Sequence, residues 1–178
     1  MKKVTAIFSV AALLTVCATS SLAQQAQVSF FTIDFVDQNQ HLIFQTDGMT
    51  RAVGPNIVAQ IAAGPMGGTL VPIGSPEALS ASSFPGFVLA GGVDVTQAFG
   101  TTIDYQIRAW DITTGATFDS ATTRGFSPTA QRTLPGDSTG TPPDLNNFTS
   151  FNLEVVPEPS TVALGVIGGL ALLMRRRK

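Results

Sequence analysis

The chain has 178 residues, which allows one domain or two small ones, and its net charge of −2 averages over unlike parts. Between Gln24 and Val156 there are four basic and eleven acidic residues, a net charge of −7, while the remaining basic residues gather at the two ends. A body of that charge repels phosphate backbones and anionic lipid, which excludes nucleic-acid binding.

Lys2 and Lys3 precede an apolar run from Val4 to Val16, and Ser21-Leu22-Ala23 then supplies small residues at the two positions read by a signal peptidase. This pattern predicts a secretory signal peptide over residues 1–23, with signal peptidase as a partner and cleavage after Ala23. The one cysteine, Cys17, lies in the apolar run behind bulky Val16, which does not suit a lipidation site. Without it the exported body has neither disulfides nor thiolate chemistry, and packing must stabilise it.

From residue 24 to 156 the pattern is that of strands. VSFFTIDFV (Val28–Val36) alternates with Phe31, Ile33 and Phe35 on one face. HLIFQT, NIVAQIAA, GTLVPI, GFVLAG and VDVTQAF are shorter candidates, separated by turn-formers such as Asp47-Gly48, Gly67-Gly68 and Gly91-Gly92. TTIDYQIRAW (Thr101–Trp110) sets Ile103, Tyr105, Ile107 and Ala109 against Thr102, Asp104, Gln106 and Arg108. GATFDSATTRG suggests a helical turn, and residues 127–147, polar with four prolines, a long exposed loop. FTSFNLEVV (Phe148–Val156) closes the body with Phe151, Leu153 and Val155 on one face. The expected fold is all-β, an antiparallel β-sandwich of immunoglobulin-like or jelly-roll type.

Chemistry is sparse in this pattern. A nucleophilic hydrolase needs a base beside its nucleophile, and the only histidine is His41, at the start of a short strand. A paired-carboxylate glycosidase is conceivable with eleven acids, but Asp34 and Asp104 point outward from strands and read as solubilising. The expectation is a non-enzyme with no cofactor. Calcium is the metal to weigh, through Asp34, Asp37 and Asn39 or through Asp137 to Asp144, although neither run has an EF-hand spacing and solvated loop acids are the default. Trp110, with Tyr105 and Arg108, forms the candidate glycan contact of a carbohydrate-binding module. Burial of Trp110 is the expectation that competes with it.

Pro157-Glu158-Pro159 follows, then Ser160 to Met174 as a fifteen-residue apolar segment, then Arg175, Arg176, Arg177 and Lys178. Fifteen helical residues span roughly 22 Å against a hydrocarbon core of roughly 30 Å. The cationic end should remain cytoplasmic as a stop-transfer signal, with the body outside. The prolines hold an extended tripeptide at the outer face, and Ser160 caps the helix. Together these residues resemble the PEP-CTERM sorting signal of bacterial exported proteins, over residues 157–178. The resemblance implies recognition of Pro157, Glu158 and Pro159 by an exosortase, a membrane-integral enzyme with a cysteine-protease-like site. It also implies release or surface delivery beside exopolysaccharide, in a biofilm matrix. FQTDGMTRAVGPNIVAQIAAGP, VPIGSP and YQIRAWD are similar to exported β-rich domains found ahead of such tails, from Phe44 to Val155, and imply no activity. The leading expectation is a structural or adhesive surface protein, with a carbohydrate-binding module second and a secreted hydrolase third.

Overall fold

The central strand is dictated by GPNIVAQIAAGP. In a computed structural model, which describes residues 25–33, 41–79, 84–157 and 167, these twelve residues form β3 (Gly54–Pro65). β3 pairs antiparallel with β4 (Val71–Leu79) on one side and with β6 (Thr102–Asp111) on the other. β-branched and small side chains suit such a strand, because Ala59, Ile61 and Ala63 pack into the core without crowding their neighbours.

β6 is also paired on both sides. Its far edge is shared by β7 (Thr123–Phe126) and β8 (Ala130–Thr133). Between those two strands buried Ser127 completes the ladder. Its N–H donates to the Ile107 carbonyl at 2.9 Å, and its Oγ accepts from the Ile107 N–H at 3.0 Å. The main sheet thus runs β10-β7-β6-β3-β4, with β8 beside β6 and β10 being Glu154–Val155. β1 (Ala26–Phe31) and β5 (Leu89–Val95) form an antiparallel pair, and β2 (Ile43–Phe44) pairs with β9 (Phe151–Asn152).

One core unites these pieces. Val28 and Phe30 of β1 and Val95 of β5 share a buried cluster with Ile61 of β3 and with Ile103, Tyr105 and Ile107 of β6. The alternation expected in β6 holds at every core-facing position from Ile103 to Ala109. At Asp104 on the other face, the carboxylate is largely buried. It accepts from the Gly67 N–H at 2.7 Å and from Gln131 Nε2 at 3.0 Å, so it ties the β3–β4 turn to β8.

Several expectations are corrected. In β1 the residues in the main core are Ala26, Val28 and Phe30, the opposite phase to Phe31, which packs with Ile33 against a smaller cluster; Phe35 lies outside the described residues. Ile33, beyond the strand, is buried in a small cluster with Leu42 and Phe87. Gly91-Gly92 is no turn but the interior of β5, where pairing with β1 keeps the backbone extended. The proline-rich stretch 127–147 supplies β8 and buries Leu134 and Leu145. Two isolated leucines anchor that segment where no apolar run exists. Val155, expected to face the core, is 67% exposed because β10 overhangs the packed region. The β2–β9 pair is parallel, within an otherwise antiparallel set of described strands. The helical turn expected after Gly115 is a single one, closed by the Ala121 N–H to the Thr117 carbonyl at 2.9 Å, and the residues after it enter β7. The segments 1–23 and 158–166, which hold the expected signal peptide and the start of the apolar helix, lie outside the described residues; Ile167 within the tail is helical and exposed.

Candidate functional site

The strand period decides where the candidate glycan residues go. Tyr105 and Trp110 are an odd number of positions apart on β6, so they face opposite sides of the sheet. Tyr105 is fully buried in the core, where its hydroxyl donates to Asn147 Oδ1 and the Asn147 amide donates to the Gln131 carbonyl at 2.7 Å. Burial pushes the phenol up to about 12, against the opposing effects of the Asn147 backbone and the charge of Arg132. Arg108 and Trp110 share the outer face. Trp110 is buried there as well, because the loop after β6 folds Phe118 and Ala121 over it. Its indole N–H has no hydrogen-bond partner among the described residues. Tyr105 therefore does not join Arg108 and Trp110 in one contact surface.

What the outer face does present is a stack around Phe118. The guanidinium carbons of Arg108 and Arg124 each lie 5.2 Å from its ring centroid, and Trp110 meets its edge at 6.2 Å. Phe126 adds a second edge-on contact at 6.3 Å and is itself 58% exposed. Arg124 is held by the Phe118 and Asp119 carbonyls, which accept from its Nη1 at 2.8 and 2.7 Å. Arg124 and Phe126 are two positions apart on β7 and so share a face, but the helical turn expected over Gly115 to Gly125 hid that strand. The role of Phe118 comes from a loop and carried no periodic signal.

The remaining candidates have structural partners. His41 takes a left-handed backbone conformation at φ 73°, and its Nδ1 is hydrogen-bonded to the Phe148 carbonyl. Its ring also tilts against that of Phe148 at 5.4 Å. Asp137 closes its own turn, accepting from the Thr139 N–H and hydroxyl and from the Gly140 N–H. Those bonds, the Thr139 hydroxyl foremost, hold its carboxyl below the usual carboxylate range. Asp47 does the same with Thr50 and Met49. Among the described residues no three His, Cys, Asp or Glu side chains gather as a metal site, and Asp34, Asp37 and Asn39 lie outside them.

The other feature of note is where the body stops. Glu154 and Val155 pair with Arg124 and Thr123, and the Val156 N–H donates to the Thr122 carbonyl at 2.7 Å. A groove of about 350 Å³ opens beside this last pairing, lined by Arg124, Gly125, Phe126, Asn152, Glu154 and Val156. Pro157 comes next, exposed and in no regular element. Residues 155–178 match the family described as the PEP-CTERM protein-sorting motif.

The C-terminal segment is a PEP-CTERM sorting motif. The PEP-CTERM motif implies an exported, surface-sorted protein that interacts with an exosortase. Of its expected recognition residues only Pro157 is described; Glu158, Pro159, Arg175, Arg176, Arg177 and Lys178 lie outside the described residues, as does the expected cleavage site at Ala23. The motif reaches two residues further upstream than the tripeptide itself, and so it overlaps β10. No curated protein and no solved structure matches the chain, and the strand-rich body is described by its own geometry alone.

Proposed function

We propose that this chain is a non-enzymatic surface or extracellular-matrix protein. An exosortase removes its tail, and its body, a two-layer β-sandwich, plays a structural or adhesive part beside exopolysaccharide. One observation carries the reading: a PEP-CTERM motif joined directly to a body built of strands around one main core. The apolar tail spans the membrane with its basic end inside until it is cut, which places the body outside. A hydrolase gains no support from His41, whose Nδ1 is engaged by a backbone carbonyl rather than by a hydroxyl. A carbohydrate-binding role through Trp110 requires a ring face that Phe118 and Ala121 now cover.

The test is the intact mass of the protein recovered from its own cells, for the native chain and for Glu158→Ala. The expected native mass lacks the apolar segment and the basic cluster, while the variant keeps both. Equal masses with the tail intact in each would leave the segment a plain anchor and end the proposal.

A further inference from the structure

The sorting motif does not hang from the body on a linker. Its first residue, Val155, is a strand residue paired with Thr123, and Val156 makes the last backbone bond to the sheet. From the α-carbon of Val156 to that of Glu158 the chain reaches at most about 7 Å. A specific protein contact covers roughly 800 Å² on each side, a patch on the order of 30 Å across. An enzyme that closes around Glu158 therefore meets the edge of the body as well, unless β10 first peels away.

The surface at that edge is suited to contact. Phe126, on the same face of the sheet as Arg124 and Glu154, exposes 58% of its area. Arg124, fixed by two carbonyls, stands in register with Glu154 on the neighbouring strand. The groove of about 350 Å³ between them opens at Val156, continuous with the motif. We propose that the processing exosortase reads this groove together with the tripeptide, so that the recognition site of the sorting signal extends onto the folded body through Arg124, Phe126 and Glu154. This inference rests on the exosortase reading of the tail.

Two substitutions on the exposed rim, Phe126→Ser and Glu154→Lys, test it in full-length chains. Each is made in the native sequence and in a chain carrying a flexible Gly/Ser insertion of about eight residues between Val156 and Pro157, roughly 15 Å of mean reach. Tail removal is followed by mass in pulse-labelled cells, and thermal unfolding of the secreted body verifies that each variant is folded. Loss of one good contact corresponds to roughly tenfold in rate. The expected result is a slowing of that order for each substitution and for the insertion alone, with no further slowing when a substitution and the insertion are combined. Folded substitution variants processed at the native rate, or slowed equally with and without the insertion, would overturn the groove. So would faster removal on insertion, which would make β10 a brake instead. Unchanged removal in a parallel Glu158→Ala chain would overturn the sorting reading itself, and the groove with it.

Discussion

The hydroxyl of Tyr105 is the one phenol of the chain, which makes its ionisation directly visible in the ultraviolet. Burial raises it from the ordinary value of 10.0 to about 12, because the ionised form loses solvation inside the core. The raised value means that the folded state binds the proton more tightly than the unfolded chain. Its contribution to stability is complete below pH 10 and is lost as pH rises toward 12, a loss of roughly 2–3 kcal/mol. A spectrophotometric titration should show folded Tyr105 ionising near pH 12, with unfolding following the same limb. In Tyr105→Phe that alkaline decline should flatten, with a cost near neutral pH of about 1 kcal/mol for the lost bond to Asn147. A tyrosine that titrates at its ordinary value in the folded protein would mean that the core around Asn147 admits water.

At the scale of the element, β7 owes its place to a glycine. A β-carbon on Gly125 would stand 2.2 Å from the Asn152 carbonyl oxygen, so only glycine lets β7 lie this close to β9. Gly125→Ala should push β9 and β10 outward and cost about 1–3 kcal/mol, measured as a lower urea midpoint at unchanged slope. A stability equal to that of the native chain would show that the strands separate freely. Gly74 acts similarly in β4: at φ 63° it bends the strand where a β-carbon would meet Val93 at 2.8 Å, and it brings β4 onto β5. The strands readable in the sequence were those with period two and enough length, β6 above all. β8 and the burial of Leu134 and Leu145 were not readable, since isolated apolar residues among prolines have no period. The register shift between Ser29 and Phe31 was hidden because it belongs to the pairing with β5, more than fifty residues away in sequence. At the candidate site, the sorting residues were legible as a local motif. The covering of Trp110 by Phe118 was not, because it depends on how a loop folds back.

For the whole molecule, the last strands are also the ones that complete the body. Phe151 and Leu153 are buried in the common core, and β9 and β10 give β2 and β7 their outer partners. A body ending at Ser150 should therefore lose its cooperative thermal transition, whereas one ending at Pro157 should retain it; cooperative unfolding of the shorter body would show that these strands are accessory. The Leu42 N–H donates to Ser150 Oγ across 108 residues, beside the parallel β2–β9 pair. Contacts of that separation form late and slowly. At synthesis rates of 5–20 residues per second, roughly 5–20 s pass between the appearance of β2 and that of its partner. Through that interval Leu42 and Ile43 lack the strand that covers their edge. When β9 arrives, the sorting segment is only a few residues behind it. Completion of the core and appearance of the sorting segment thus fall at nearly the same moment of synthesis, so a chain that still lacks its sorting signal also still lacks the strands that close its body.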